Sequence, residues 1–178
     1  ATELAQKLCD LNRTRQEEEN RIYQQIVAWL EQEPRRHQKK ALVLWGDDWH
    51  NGVIGIVASR LTDRYGVPCI LISMSGDCGK GSGRSIKGFK LYSALEQCAD
   101  VLDKYGGHEL AVGLSIHRDK LEQLRNRMEE LAEQMGAGRE VVPCIAVDCR
   151  VRPCELTRGE VAGLSMLEPF GMGNAQPC

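Results

Sequence analysis

Apolar residues fall in two separate stripes along the first part of the chain. Leu4, Leu8 and Leu11 form one stripe, and Ile22, Ile26 and Leu30 form another, each at helical spacing. Between them Asn12–Arg21 is polar on every face. A helix apolar at both ends and polar in its middle suits a bridge between two bodies. Pro34, which cannot continue a helix, sets its end. The pattern then changes period. Ala41-Leu42-Val43-Leu44-Trp45 is a short continuous apolar run and predicts a buried strand. Asp47–Asn51 is a turn. A helix is predicted over Gly52–Tyr65, with Ile54, Val57, Ala58 and Leu61 on one face and Gly66 as its C-terminal cap. Val67-Pro68 leads into a strand, Cys69–Ser73. Strand, helix and strand in that order imply two parallel neighbours joined by a right-handed crossover.

Gly76–Gly88 is glycine-rich and predicts loops around a strand at Ser82–Ile86. Leu91–Tyr105 reads as a helix with Leu95, Cys98 and Leu102 inward, and Val112–Ile116 as a strand. Asp119–Met135 is an amphipathic helix carrying Leu121, Leu124, Met128 and Leu131 on its apolar face. Gly136-Ala137-Gly138 marks a boundary. Beyond it, Val141–Val151 alternates as a strand, Leu156–Leu164 is a short helix, and Glu168–Asn174 is a turn-rich loop. The predicted class is α/β: a long N-terminal helix, a mixed sheet flanked by helices, then the start of a β-rich segment.

Composition narrows the function classes. The chain has 178 residues, 42% hydrophobic and 27% charged, as in an ordinary globular protein. A formal net charge of −2 gives no global field to steer a polyanion, so contact with nucleic acid needs a local basic patch. Aromatic residues are only 5%, which argues against a base-stacking platform as the main binding surface. No apolar run has the length of a membrane span, and Ala1-Thr2-Glu3-Leu4 opens no signal peptide. Cys69 and Cys98 sit in apolar patterns. Cys144, Cys149 and Cys154 are evenly spaced, but the eight cysteines include no C-x-x-C pair, so a zinc site is disfavoured and a reducing cytoplasm is the simpler setting. With no initiator Met and an opening inside a helical pattern, the chain is expected to be part of a longer protein.

Three glycine-rich stretches carry candidate chemistry. Trp49-His50-Asn51-Gly52 lies where a strand gives way to a helix, a place with free N–H groups and a favourable dipole for an anion. Asn51 as a plain helix cap explains the same residues. Gly81-Ser82-Gly83-Arg84-Ser85 offers hydroxyl donors and a guanidinium fork for phosphate, with Lys80 and Lys87 beside it. Its spacing is not that of a nucleotide-triphosphate loop, and a solvated hairpin is the alternative. Gly106-Gly107-His108 precedes the small residues Ala111 and Gly113; paired glycines admit close approach of a ligand, and the imidazole can donate to an anion. A Gly-Gly turn with a surface histidine accounts for that stretch equally well. If the three converge, the site holds an anion with donors alone. His37, His50, His108 and His117 are scattered, and no Asp/His cluster has metal-ligand spacing.

Taken in order, Trp49-His50-x-Gly52-Val53-Ile54-Gly55, Gly81-Ser82-x-Arg84-Ser85, Gly106-Gly107-His108-x-x-Ala111-x-Gly113 and Pro169-Phe170-Gly171-x-Gly173-Asn174 resemble the C-terminal part of the RecJ family of single-strand-specific DNA exonucleases, within the DHH phosphoesterase superfamily. The resemblance covers nearly the whole chain. It implies an interdomain connecting helix at residues 1–34, a DHH-associated substrate-binding domain at 35–138, and the start of a truncated OB-like nucleic-acid-binding domain at 139–178. It implies 5′→3′ exonuclease action in recombination and repair, with Mn2+ or Mg2+ held by an Asp-His-His domain that is not in this stretch; no metal ligand is expected here, and the stretch alone is expected to be inactive. Ser82, Arg84 and Ser85 match the family loop that holds DNA phosphate, including the 5′ end. His108, with Gly106 and Gly107, matches the motif that contacts the scissile phosphate beside the metals, and His50 matches the histidine of the first motif. Val112 stands where the family often has Ala. The implied partners are single-stranded DNA, a single-strand-binding protein and a recombination helicase. Two alternatives are a phosphodiesterase of the same superfamily for oligonucleotides or cyclic dinucleotides, and a non-catalytic nucleic-acid-binding module.

Overall fold

Five strands form one mixed sheet in the computed structural model, in the order β1-β2-β3-β5-β4. The structure describes residues 2–32, 39–137, 147–171 and 173–177. The chain divides into two compact units, Ala1–Val141 and Val142–Cys178. In the first, helix α1 (Thr2–Gln32) precedes β1 (Leu42–Gly46), α2 (Ile54–Tyr65), β2 (Cys69–Ser75), β3 (Cys78–Arg84), α3 (Leu91–Glu96), β4 (Lys104–His108), β5 (Ala111–His117) and α4 (Leu121–Gln134). β1 and β2 are parallel, and every other pairing is antiparallel.

Alternation along the strands builds two different faces. On one face Val43, Ile70, Ile72, Met74, Val112, Leu114 and Ile116 pack against α3 and α4 through Leu91, Leu95, Leu121, Leu124 and Met128. On the other, Leu42, Leu44, Cys69 and Leu71 are covered by α1 and α2 through Ile22, Ile26, Leu30, Val57 and Leu61. Full burial of each such side chain stabilises by about 1.5–3 kcal/mol. The apolar part of the second cover stops at β2, and α2 reaches on over β3 at Ser82 and Arg84. The continuation of that face onto β3, β5 and β4 carries no apolar cluster, and this polar half, open beyond α2, positions the candidate site.

α2 forms as its pattern predicts. Ile54, Val57, Ala58 and Leu61 are all buried, and Gly66 ends the helix at φ 66° with its N–H on the Thr62 carbonyl at 2.9 Å. Asn51 does not cap it: Val53 holds the cap position, and no side chain accepts there. In α1 the second stripe is buried, whereas Leu4, Leu8 and Leu11 are 58–68% exposed. Its polar middle is held by ions: Glu19 meets Arg15 and Arg60, both at 2.9 Å, and Arg21 bridges Glu18 and the Asp48 carbonyl.

Three predicted elements differ from the structure. β3 runs Cys78–Arg84 rather than Ser82–Ile86, because a tight turn at Gly76 (φ 61°) folds it directly back on β2, with Ser75 opposite Cys78. The predicted helix Leu91–Tyr105 stops at Glu96; a 3-10 turn covers Ala99–Val101, and Lys104–His108 is the edge strand β4. Hydrogen bonding to β5, begun by the Asp103 N–H on Ser115 O at 2.9 Å, overrides the local helical pattern. The predicted strand Val141–Val151 falls partly on 138–146, outside the described residues, and residues 147–151 form no strand.

In the second unit, α5 (Arg158–Gly163) starts at a capping box between Thr157 and Glu160. The closing turn ties itself: Gly171 and Asn174 exchange backbone hydrogen bonds, and Asn174 Nδ2 donates to the carbonyls of Leu167 and Pro169 at 2.8 and 3.0 Å.

Candidate phosphate-binding face

Register fixes which residues share the open face. Arg84 pairs with Ala111, and Ala111 with His108. Ser82 pairs with Gly113, and Gly113 with Gly106. Lys80 pairs with Ser115, and Ser115 with Lys104. Residues directly opposite point to the same side, so these nine positions form three cross-strand rows of one surface. They hold two lysines, an arginine, a histidine, two serines and three small residues, with no carboxylate. The side chains of Lys80, Lys104 and His108 form no ion pair or hydrogen bond among the described residues. An acid-free basic surface of this kind favours an anion.

The glycines of β3 and β4 serve two separate purposes. Gly79, Gly81 and Gly83 face the core, where a Cβ would meet Met74, Leu114 and Val112 at 2.5–2.8 Å. Gly107 has φ 140°, and its Cβ would strike the Ala111 carbonyl and lie 2.8 Å from Val112 Cα. Gly106 and Gly113 are different. A Cβ on Gly106 meets nothing within 4 Å, and one on Gly113 only Gly81 O at 3.9 Å. Packing does not require glycine at either position; their bare backbone lowers the floor of the open face.

Ser82 and Arg84 face α2 at its Gly55, whose Cβ would lie 2.9 Å from Ser82 Oγ and 3.1 Å from Arg84 Nη2. Arg84 Nη1 donates to Ser82 Oγ at 3.3 Å and to Gly83 O at 2.8 Å and meets no carboxylate among the described residues. A groove of about 390 Å3 runs over the face, lined by Asn51, Ile54, Lys80, Ser82, Lys104 and Ser115 among others. The three glycine-rich stretches therefore reach one surface through Asn51, through Ser82 and Arg84, and through Gly106 and His108.

Two residues matched by sequence stand apart. Ser85 lies beyond the end of β3, where its hydroxyl donates to Phe89 O at 2.7 Å and its N–H to Leu110 O at 2.9 Å. That hydroxyl anchors a loop. His50 lines a second cavity with Leu11, Arg15, Glu18 and Asp48. Its Nδ1 accepts the Gly52 N–H at 3.0 Å, leaving Nε2 as the nitrogen free to donate. Glu18 packs against this turn, and its carboxyl lies below the usual range, chiefly through its hydrogen bond to Arg21, aided by the charge of Arg21 and by His50. Lys104 and Ser115 were not singled out from sequence. The alternation Lys104-Tyr105-Gly106 was the available signal, obscured by the apolar spacing of the preceding helix.

Among the described residues, no group of three or more His, Cys, Asp or Glu side chains is placed to hold a metal ion. The donor set of the face is cationic and neutral, which does not fit a divalent cation.

Fold and face together define an α/β domain with one basic, acid-free half-face. The DHHA1 domain model matches residues 38–134, and the chain belongs to that family. It is 35% identical over 179 residues to the single-stranded-DNA-specific exonuclease RecJ of Bacillus subtilis, covering 99% of this chain and 22% of that protein. The RecJ of Escherichia coli is 32% identical over 98% of this chain and 31% of its own length. The crystal structure of RecJ in complex with Mn2+ from Thermus thermophilus matches 98% of this chain and 25% of that one, with TM-score 0.85 and 29% identity. The chain thus spans about a quarter to a third of the relatives it matches.

Proposed function

We propose that this chain is the substrate-holding part of a metal-dependent 5′→3′ single-stranded-DNA exonuclease of recombination and repair. The observation that carries the reading is the cross-strand row placing Arg84 and His108 on either side of Ala111 on an acid-free face. Arg84 offers a bidentate fork to a phosphate, and Ser82 adds a hydroxyl. His108 donates to a second oxygen from the opposite strand. Gly106 lets the DNA backbone approach the sheet, and Gly107, whose glycine the fold itself requires, shapes the strand between Gly106 and His108. In this reading His108 contacts a phosphate and polarises it, while Mn2+ or Mg2+, held outside this chain, supplies Lewis-acid chemistry in the intact enzyme. Ser85 anchors the loop after β3, and His50 contributes a donor through its Nε2 from the separate cavity it lines with Arg15 and Glu18.

The same proposal includes a connecting helix over residues 1–34, a DHH-associated domain over 35–138, an OB-like segment over 139–178, and a cytoplasmic setting. No described helix is long and apolar enough to cross a membrane. Single-strand-binding protein and a recombination helicase belong to the proposal as partners of the intact enzyme.

The test is turnover on 5′-phosphorylated single-stranded DNA by the intact protein carrying Arg84→Ala or His108→Ala. Both are expected to be crippled, and the isolated chain to show no cleavage. Normal turnover by both variants overturns the assignment.

A further inference from the structure

The open face continues past Arg84 and His108. Two residues along the strands stands the Ser82–Gly113–Gly106 row, and two beyond it the Lys80–Ser115–Lys104 row. At about 3.4 Å per residue, the last row lies about 14 Å from Arg84. An extended single strand roughly doubles the 3.4 Å rise of a stacked one, so the span corresponds to about two nucleotides. The groove is lined at this far end, by Lys80, Lys104, Ser115 and Asn51. Lys80 and Lys104 are exposed, sit on the strands flanking Ser115, and have no carboxylate partner among the described residues.

We propose that Lys80, Lys104 and Ser115 form a second phosphate subsite, which holds a backbone phosphodiester about two nucleotides from the one at Arg84. The inference rests on reading the face as a phosphate-holding surface. Lys80 and Lys104 stand on either side of Ser115 in one cross-strand row, so a phosphate over the hydroxyl is within reach of charge from both sides. Lysine is a point charge on a flexible stem and tolerates variable backbone geometry, where the Arg84 fork fixes one. Contacts of this kind carry no base information, so the subsite reads strand length and not sequence. A dinucleotide cannot fill both subsites, whereas a longer strand spans them.

The experiment uses the intact nuclease and 5′-phosphorylated oligothymidylates, and compares kcat/KM for a decanucleotide with that for a dinucleotide. The double variant Lys80→Ala, Lys104→Ala is expected to lower this ratio by about tenfold, mainly through KM. Lys80→Arg with Lys104→Arg is expected to restore most of it, which a merely structural role would not require. The slope of log affinity against log salt for the decanucleotide is expected to shallow by about 0.7 in the alanine variant. An unchanged ratio and slope, in an enzyme still crippled by Arg84→Ala, overturn the subsite alone. An enzyme indifferent to Arg84→Ala at every length overturns the phosphate-face reading and the subsite with it.

Discussion

Arg84 on β3 and His108 on β4 are both in register with Ala111, the single residue of β5 that separates them. Two strand spacings put their backbones about 10 Å apart. A methyl group forms the floor between them, which leaves room for a phosphate with a donor on each side. Arg84→Ala removes a charge-assisted contact of about 1.5–3 kcal/mol. The expected outcome is a rise in KM for single-stranded DNA of about 10–100-fold. Arg84→Lys is expected to recover only part of it, because the fork is lost. Steady-state kinetics of the intact enzyme check both.

Gly107 and Gly55 separate folding from binding. At Gly107 (φ 140°) an added methyl strikes backbone at Ala111 and Val112, neither of which can swing away. Gly107→Ala is expected to destabilise the chain by about 2–4 kcal/mol, read by urea unfolding. At Gly55 the atoms nearest the new methyl are the side-chain ends of Ser82 and Arg84. Gly55→Ala is expected to leave stability within about 1 kcal/mol, since alanine favours the helix. It should still weaken DNA binding by displacing both donors. Equal stability losses in the two variants contradict this division.

Much of the architecture was legible wherever burial and local pattern agree. The periodic face of α2, the parallel pair β1 and β2, and Gly66 as a stop all follow from spacing. β3 and β4 were harder. Gly79-Lys80-Gly81-Ser82-Gly83-Arg84 alternates with period two, as a strand should, but every inward position is glycine and mimics a loop. Only the tertiary partners, Met74, Leu114 and Val112, show why those positions lack side chains. The residue types of the site were visible in sequence, whereas its arrangement in rows was not, because strand register is set by long-range pairing. Ser85 shows the converse: a hydroxyl placed by motif with the phosphate donors is spent on Phe89.

Glu18 gives the stability of α1 a pH dependence. Its carboxyl is held below the usual range, first by the Arg21 hydrogen bond. A depressed acid stabilises the fold above its unfolded pKa of about 4.3, and the contribution is lost as pH falls through the lower folded value. The pair is largely at the surface, so the effect is expected to be at most about 1 kcal/mol. Urea unfolding at neutral pH should therefore show Glu18→Gln less stable than wild type, and the difference should shrink as pH falls below about 4 and vanish only beneath the lowered folded value. A difference that persists in acid assigns the loss to packing.

Metal removal should divide the intact enzyme from this chain. The described residues offer no three-ligand group, so neither Mn2+ nor a chelator is expected to move the chain's melting temperature. Cleavage by the intact enzyme is expected to stop on chelation and return with added Mn2+. A melting temperature that rises with Mn2+ in the isolated chain contradicts the assignment of metal ligands elsewhere.

Gly106→Ala tests whether the bare floor of the face is used. The methyl meets no atom within 4 Å, and the backbone there is not in the left-handed region. The fold should accept the substitution, and reduced freedom of the unfolded chain adds stability of about 0.4–1 kcal/mol. In the proposed reading, however, the methyl occupies the level at which the strand passes between Ser82 and the Gly106 backbone. KM for single-stranded DNA is therefore expected to rise while unfolding free energy holds or increases. A stable variant with wild-type kinetics shows that the strand passes above Gly106 without touching it, and limits contact to the side chains of Ser82, Arg84 and His108. A loss of stability shows instead that Gly106 is glycine for the sake of the fold, as Gly107 is.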